Sequence, residues 1–214
     1  MVEPEAERRH WEATYAANRY DTLPWFQTTP PPFLVSLVRR EEIPRGRSMD
    51  VGCGAGTLAL WLAKKGYSAR GIDIAPSAIR AARLRAKKTR SSARFRVASA
   101  YRLPVKARSL DLVTDFGFLH TQPARRRPEY ARELARVVRA GGAYVVSVAA
   151  REERRPQGPP FRLSVAEVVT LFESAFELVD FSAASGRSLR ANGFVWRRRD
   201  GPQPPPFAAS RPTS

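Results

Sequence analysis

Three closely spaced glycines are the residues in this chain best suited to holding a small polar ligand. Gly52, Gly54 and Gly56 follow an apolar strand end, and residues 57–63 predict a helix directly after them. Glycine allows a sharp backbone turn and lets a ligand approach bare amide groups. The first amides of the new helix, with its positive dipole end, attract an anion or a carboxylate. The stretch therefore predicts a binding turn between a strand and a helix.

An acidic residue follows at the offset that a nucleoside requires. Asp73 lies in the next apolar segment, residues 71–74, twenty-one positions after Gly52. An acid at this offset can accept hydrogen bonds from both hydroxyls of a ribose. The spacing G-x-G-x-G differs from the G-x-G-x-x-G of dinucleotide enzymes, which disfavours nicotinamide. Strand, turn, helix, strand and acid together indicate a nucleoside-binding α/β protein.

Strands and helices alternate on both sides of this turn. Helices are predicted at residues 33–38, at 76–88 and from 128 to the double glycine 141–142, and strands at 93–98, 110–116 and 143–148. Such alternation predicts a parallel sheet with helices on both faces. Farther along, Ser164 and Glu167 form a capping box that begins another helix. Residues 176–183 and 192–197 predict two closing strands, the second antiparallel and at or near an edge.

The first 45 residues predict a helical and aromatic segment ahead of the binding turn. Trp11 and Tyr15 are four positions apart in residues 4–17, as on one face of a short amphipathic helix. Residues 20–26 are rich in aromatic side chains, and Pro24 together with the prolines at 30–32 prevents a regular helix. This segment is either a lid across the pocket or a plain packing arm. We interpret residues 1–199 as one domain and the proline-rich residues 200–214 as a disordered tail.

The chain is strongly basic, with 37 lysines and arginines against 20 acids and a net charge of +17. A protein of this charge attracts nucleic acid or acidic surfaces. The basic residues are nearly all arginine and are scattered over every segment, as in a genome that favours arginine codons over lysine codons. Nucleic acid is therefore a possible partner but not the favoured one.

The cysteine count and the apolar segments indicate in which compartment the protein is expected. Cys53 is the single cysteine, so no internal disulfide can form, and we expect it to be a small packing residue and not a nucleophile. The first residues contain no apolar signal region, and the longest apolar run, 143–150, is too short to span a bilayer. We expect a soluble cytoplasmic protein without a membrane partner. Metal-ligand spacing is absent from the sequence, so no metal is expected. The oligomeric state is left open.

Four stretches together resemble one family. Residues 50–56 resemble the first motif of class I S-adenosylmethionine-dependent methyltransferases, and residues 71–74 resemble their ribose-binding strand. Residues 102–113 and 134–142 are similar to the segments before the family's fourth and fifth strands. The resemblance implies an α/β fold with a seven-stranded, mostly parallel, Rossmann-like sheet, helices on both faces and the last strand antiparallel.

The same resemblance implies S-adenosylmethionine as the cofactor and a set of residues that hold it. These are Asp50, Gly52, Cys53, Gly54, Gly56, Asp73, Ile74, Ser99, Ala100, Asp115 and Phe116. Asp73 is expected to take the ribose hydroxyls and Asp50 to lie near the methionine ammonium. Ile74 is expected to pack on the adenine, with Ser99 and Ala100 at its edge. In the family an acid usually follows the third strand, where this chain has Ser99.

The methyl acceptor is expected to be a small molecule. Residues 21–25 and 115–120 resemble small-molecule thiol, thiopurine and halide methyltransferases, in which an N-terminal aromatic segment covers the active site. Trp25, Phe26 and His120 are the residues that this resemblance places nearest the acceptor. Those relatives often have Asp-Arg-Gly after the fourth strand, and here phenylalanine replaces the arginine.

Asp115 and His120 are the candidate catalytic residues. Asp115 and Phe116 are expected to face the reacting centre, beyond the fourth strand. His120 could remove a proton from the acceptor, although a capping or packing role is equally compatible with its position. Two other functions stay open, an RNA or protein methyltransferase and a non-catalytic nucleoside-binding module.

Overall fold

The computed structural model describes residues 4–149, 160–183 and 191–201. The helices are α1 (Pro4–Ala17), α2 (Pro32–Arg39), α3 (Thr57–Lys64), α4 (Pro76–Lys88), α5 (Arg127–Val137) and α6 (Val165–Phe172). The strands are β1 (Arg47–Val51), β2 (Ser68–Asp73), β3 (Arg94–Val97), β4 (Leu110–Asp115), β5 (Val138–Ala149), β6 (Phe176–Ser182) and β7 (Ala191–Arg198). Most of these elements begin and end within two residues of the predicted positions.

Within the described residues, seven strands form one sheet in the order β3-β2-β1-β4-β5-β7-β6. Strands β1 to β5 pair in parallel. Strand β7 lies between β5 and β6 and runs antiparallel to both. The predicted mostly parallel Rossmann-like sheet with an antiparallel last strand is therefore confirmed. The carboxyl ends of β1, β2 and β4 meet at one edge of the sheet, where open α/β sheets bind ligands.

The alternation of side chains along the strands gives the sheet two covered faces. Met49, Val113 and Tyr144 are register partners on the first face and pack with α5 and α6 in one apolar cluster. Leu112 and Val145 lie on the second face and pack with α2 and α3. Helix α4 packs its alanine-rich side against β3 on that second face. Helices therefore cover both faces, as predicted.

The double glycine does not end α5, which corrects the prediction from the sequence. The helix ends at Val137, and β5 begins at once with Val138. Gly141 and Gly142 lie inside the strand, next to a register shift against β4. Gly141 has a φ of 69°, and a methyl group on Gly142 would lie 2.8 Å from a Val138 side-chain carbon. Glycine is needed here because the irregular strand leaves no room for a side chain.

The elements at the two ends of the chain agree with the predicted order. The segment before β1 folds as α1, a short 3₁₀ turn at Tyr20–Thr22 and α2. No helix in the described part of the chain is long and apolar enough to cross a membrane. Most of the predicted tail, residues 202–214, lies outside the described residues.

The capping box of α6 is formed and yields a test of the fold. The Ser164 hydroxyl accepts a hydrogen bond from the Glu167 amide, and the Ser164 amide donates to the Glu167 carboxylate. We expect Ser164→Ala to lower the free energy of unfolding by about 1 kcal/mol, because one helix amide loses its acceptor. Urea unfolding checks this, with Ser92→Ala as an exposed control. Equal stability of the two variants would contradict the assignment.

Candidate functional site

The glycine turn joins β1 to α3 at the edge where the parallel strands end. Gly52, Gly54 and Gly56 all have positive φ, at 64°, 50° and 82°. The Cys53 amide donates to the Ile72 carbonyl at 2.8 Å, which fixes the turn against β2. Residues with a side chain rarely adopt such φ values, so glycine is required for the backbone alone.

Space around the turn is also limited. A methyl group on Gly54 would lie 2.6 Å from the Tyr15 hydroxyl oxygen. One on Gly56 would lie 2.7 Å from the Phe95 ring, and one on Gly52 would lie 3.0 Å from the Phe118 side chain. The turn is thus enclosed by α1, by β3 and by the loop after β4.

Asp73 is the residue that ties this turn to β2. Its carboxylate is buried and accepts hydrogen bonds from the Gly54 and Ala75 amides, each at 2.9 Å. Burial raises the pKa of Asp73, and the amide hydrogen bonds oppose that rise. The predicted adenine-edge residues lie close by, since the Ala98 amide, directly before Ser99, donates to the Asp73 carbonyl. The structure therefore brings Gly54, Asp73 and Ser99 together.

Asp50 and Cys53 are both buried at the end of β1 and in the glycine turn. The Asp50 carboxyl is buried and accepts a hydrogen bond from the Thr114 hydroxyl at 2.9 Å. Burial raises the pKa of Asp50 to about 8, helped by the charges of Asp115 and Asp73. Cys53 lies in the apolar cluster between α3 and α4, where burial raises the pKa of its thiol. The position of Cys53 agrees with packing, because a thiol of raised pKa is a poor nucleophile.

Asp115 is the last residue of β4. Its carboxylate is fully buried and accepts from the amides of residues 117–119 and from the hydroxyls of Tyr130 and Tyr144. Burial raises the pKa of Asp115 to about 6, against these hydrogen bonds. These hydrogen bonds occupy its acceptor directions, so Asp115 holds the loop after β4 in place. The expected role of Asp115 at the reacting centre stays a prediction.

Phe118, and not Phe116, is the aromatic side chain beside the glycine turn. Phe116 packs in the cluster with α2 and α3 on the second face of the sheet. Phe118 lies against Gly52 and contacts the rings of Tyr101 and Tyr130 edge to face, at 5.8 and 4.9 Å between centroids. The hydrogen bond from its amide to Asp115 holds it there.

His120 holds two chain segments together. Its Nδ1 accepts a hydrogen bond from the Ala149 amide at 3.2 Å, and its carbonyl accepts from the Phe161 amide. Burial lowers the pKa of His120 to about 4, so the imidazole is neutral at pH 7. Its acceptor nitrogen is already occupied, and the structure therefore favours the packing role over that of a base.

Trp25 and Phe26 lie on different sides of the N-terminal segment. Trp25 is 46% exposed, and its indole N–H donates to the Tyr15 hydroxyl at 3.2 Å. Phe26 contacts the Tyr20 ring and lies 5.2 Å from the Arg85 guanidinium carbon. No contact between either residue and His120 occurs in the described part of the chain, so the structure does not gather the three predicted acceptor residues.

Helix α1 makes the contacts expected of a lid. Glu12 accepts from both the amide and the hydroxyl of Ser77, at 2.8 and 2.6 Å, and so caps the first turn of α4. Glu7 accepts from the Gln122 side chain at 2.9 Å, in the loop after β4. Tyr15 lies above Gly54. The helix therefore spans the edge of the sheet where the parallel strands end, from α4 to the loop after β4. Of the two interpretations of this segment, the lid is favoured.

Arg85 connects the aromatic segment to the glycine turn. Its guanidinium donates to the Ala55 carbonyl at 2.6 Å and to the Thr57 hydroxyl at 2.9 Å. The same group lies over the rings of Tyr20 and Phe26. One partly buried arginine on α4 thus holds the turn and the aromatic segment in a fixed relation.

The comparisons with known proteins agree with this geometry. The profile of a family described as a methyltransferase domain matches residues 49–142. The chain is 28% identical, over 86% of its length and 82% of the relative's, to a 2-heptyl-1-hydroxyquinolin-4(1H)-one methyltransferase of Mycobacteroides abscessus. It is 26% identical to a probable thiol methyltransferase of Arabidopsis thaliana, over 82% of this chain and 78% of that one.

Solved structures give the same result. One solved structure has a TM-score of 0.77 and 25% identity to this chain. It is described as showing the conversion of a disulfide bond into a thioacetal group during echinomycin biosynthesis. The alignment covers 90% of this chain and 92% of that one. The family profile, these relatives and this structure together support a class I S-adenosylmethionine-dependent methyltransferase. A 1,6-didemethyltoxoflavin-N1-methyltransferase of Burkholderia thailandensis, solved with S-adenosylhomocysteine, shares the fold. Its TM-score is 0.74 at 19% identity, over 94% of this chain and 92% of that one.

The edge of the sheet that carries the glycine turn and Asp73, called the donor edge below, fits S-adenosylmethionine. The three glycines adopt left-handed conformations and place bare backbone, without side chains of their own, at this edge of the sheet. Asp73 stands at the end of β2, beside the turn, where its carboxylate can reach ribose hydroxyls. Asp73 and Glu7 also place acidic groups near a cofactor that carries a sulfonium and an ammonium cation. The donor set thus matches the charge and the hydroxyls of the cofactor.

Sequence reasoning missed several residues that surround the donor edge of the methyltransferase. They are Glu7, Glu12, Tyr15, Arg85, Tyr101 and Phe118. Tyr15 was noted only for its helical spacing to Trp11. The contact of Glu12 with Ser77 spans 65 positions and has no local signal. Only Phe118, three residues after Asp115, carried a signal, because the loop after the fourth strand borders the site in this family.

The buried carboxyl of Asp50 predicts an unusual dependence of stability on pH. Folding raises its pKa from 3.8 to about 8, so the folded state binds the proton more tightly and the free energy of unfolding falls as pH rises between these values. We expect Asp50→Asn to reduce that fall between about pH 7.5 and pH 8.5, which lies above both the folded and the unfolded pKa of Asp115 and of His120. Urea unfolding at several pH values measures it.

Asp111 supplies the matched control. Its pKa is lowered in the folded protein by hydrogen bonds and charge from Arg139 and Arg47, which outweigh its partial burial. The contribution of Asp111 to the free energy of unfolding is complete above its unfolded pKa. It is lost only as pH falls through its folded pKa. Asp111→Asn should therefore leave the slope above pH 6.5 unchanged. Identical slopes for Asp50→Asn and the parent protein would contradict the assignment.

Proposed function

We propose that this methyltransferase transfers a methyl group from S-adenosylmethionine to a small molecule. The position of α1 carries the proposal. Tyr15 and Glu7 extend from this helix over the glycine turn and to Gln122, so the donor edge is covered by the chain itself. A covered site admits small ligands and excludes water, whereas a macromolecular acceptor needs an open one.

The names of the relatives support a small acceptor. One relative acts on a hydroxyquinolone, a second is described as a thiol methyltransferase, and a structural neighbour was solved with 1,6-didemethyltoxoflavin. Each of these acceptors offers an oxygen, sulfur or nitrogen atom with an available lone pair. We propose the same broad class here.

The residues proposed to hold the donor are those around the glycine turn. Gly52, Gly54 and Gly56 would let the methionine part lie against the backbone, and Asp73 would bind the ribose hydroxyls. When bound, the cofactor supplies an activated methyl group on a sulfonium whose sulfur leaves with the bonding electrons. The chain's task is then to align the acceptor with the methyl carbon, which lowers the barrier by several kcal/mol.

Further contacts complete the proposed donor site. Ile74 would pack on adenine, and Ser99 with Ala100 would border its edge. Asp50 would act on the ammonium only from a distance, because its carboxyl is bound to Thr114. The proposal treats residues 1–199 as one cytoplasmic domain followed by a tail.

The acceptor is proposed to lose its proton without help from His120, Asp115 or Tyr130. His120 already accepts from Ala149, and Asp115 is saturated by amides and hydroxyls. Burial raises the pKa of Tyr130 well above its ordinary value, so its phenol stays protonated. The acceptor would therefore react as a preformed anion, or as a neutral amine that releases its proton afterwards.

Asp73 gives the direct test of the donor site. We expect Asp73→Asn to weaken S-adenosylmethionine binding by about tenfold or more, because a charged acceptor for two hydroxyls is lost. Isothermal titration calorimetry measures the affinity, and circular dichroism confirms that the variant is folded. Asp111→Asn, away from the donor edge, is the control. Unchanged affinity in a folded Asp73→Asn protein would contradict the assignment.

A second test asks which group sets the pH dependence of the reaction. With acceptors of graded pKa, we expect the midpoint of kcat/KM against pH to follow the acceptor, since neither His120 nor Asp115 is free to act as base. His120→Gln should retain kcat within about threefold, measured as S-adenosylhomocysteine formed. Two results together would establish a histidine base instead. The midpoint would be the same for every acceptor, and kcat of His120→Gln would fall by about a hundredfold.

A further inference from the structure

The excess of basic residues is concentrated in one part of the fold. Residues 66–98 contain nine lysines and arginines but only one acid, Asp73. The whole chain has 37 lysines and arginines and 20 acids. Asp73 is buried at the donor edge and does not neutralise the surface. This stretch forms β2, α4 and β3, which lie together at one end of the sheet. A general preference for arginine codons does not explain why acids are missing from the surface of this stretch.

In the described part of the chain, no helix covers the first face of the sheet at this end. Strand β3 is the edge strand, and residues 98–109, between β3 and β4, contain no helix in the structure. Helices α5 and α6 cover the first face farther along, over β4, β5 and β7. The outer part of β2 and β3 is therefore left exposed on that face.

Three arginines occupy the uncovered area. Arg70 on β2 and Arg94 on β3 are direct register partners, and Arg96 follows two residues later on the same face, opposite Ile72. All three arginines are exposed. Like charges placed directly opposite each other on neighbouring strands destabilise a sheet. An arrangement of this kind is favourable when an anion binds between the charges.

The side chains of these arginines have no partner among the described residues. Elsewhere the arginines are used in ion pairs, such as Arg45 with Glu41 at 2.8 Å and Arg139 with Asp111 at 2.6 Å. No hydrogen bond or ion pair of the side chains of Arg70, Arg94 or Arg96 occurs in residues 4–149, 160–183 and 191–201. Their guanidinium groups are thus available to an external ligand.

Helix α4 extends the positive surface around the edge strand. Lys87, Lys88 and Arg90 are exposed at its end. Arg83 donates to the Phe95 carbonyl at 2.8 Å, which places its positive charge against β3. Both sides of the edge strand are therefore basic.

We infer that this surface, the basic edge of Arg70, Arg94, Arg96, Lys87, Lys88 and Arg90, docks the phosphate backbone of nucleic acid. Guanidinium groups bind phosphate oxygens through two parallel hydrogen bonds. A second copy of this chain is disfavoured as occupant, because each copy carries a charge of +17. Docking here is separate from methyl transfer, since the arginines lie on the first face and Gly54 and Asp73 lie at the covered donor edge.

The test compares two variants that remove equal charge. One carries Arg70→Ser, Arg94→Thr and Arg96→Thr in the basic edge, and the other carries Arg39→Ser, Arg40→Ser and Arg45→Ser at the connection between α2 and β1. Fluorescence anisotropy with a labelled RNA duplex gives the affinity at several salt concentrations. Vesicles of phosphatidylcholine with phosphatidylserine are the second probe. Methyl-donor affinity, measured in parallel, shows that both variants are folded.

The expected result is specific to the basic edge. Its variant should bind RNA about tenfold or more weakly at 0.1 M salt, and its slope of log affinity against log salt should shrink by roughly 0.9 for each phosphate that is no longer bound. The control variant should be weakened clearly less, and donor affinity should be unchanged in both.

Four outcomes would overturn the inference. Equal losses of affinity in the two variants would mean attraction by net charge alone. Absence of RNA binding by the parent protein at low salt would remove the partner, and binding to anionic vesicles without RNA binding would identify a different one. Self-association of the basic-edge variant with unchanged RNA affinity would show that Arg94 and Arg96 protect an exposed strand edge.

Discussion

The structure around the donor edge depends on carboxylates buried at the ends of parallel strands. Asp73 ends β2 and binds the amides of Gly54 and Ala75, and Asp115 ends β4 and binds the amides of residues 117–119. A buried carboxylate must be compensated by hydrogen bonds, so each acid fixes the backbone beside it. The position of Asp73 sets the glycine turn, and that of Asp115 sets the loop that carries Phe118. The acids thus determine the geometry of the site even where they do not touch a ligand.

The features predicted correctly from the sequence are those with a local signal. Apolar strands, helix starts at Pro76 and Ser164, and the order of the family motifs gave the sheet and its last antiparallel strand. The end of α5 was wrong because Gly141 and Gly142 serve a strand irregularity, which looks the same in sequence as a helix stop. The hydrogen bonds of Asp115 with Tyr130 and Tyr144 could not be predicted, because these partners are distant in sequence. Contacts between α1 and the body have no local pattern, which is why Glu12 was missed.

The same residue type has three uses in this chain. Arg85 is partly buried and holds the glycine turn to the aromatic segment, so its contribution is structural. Arg139 and Arg45 neutralise acids at the surface, where such pairs contribute little to stability. Arg94 and Arg96 have no side-chain partner in the described chain and raise the local potential. Arginine content alone therefore says little about function, and the surroundings of each side chain decide its role.

The placement of the tryptophans has a practical consequence. The sequence has four, and Trp11 and Trp25 both belong to the segment that covers the donor edge, with ring centroids 5.8 Å apart. Trp196 is buried in the core, and Trp61 packs at the surface of α3. Opening of the segment would change the surroundings of one pair and leave the other two as a constant background. The chain thus contains its own optical reporter, readable by intrinsic fluorescence without an added dye.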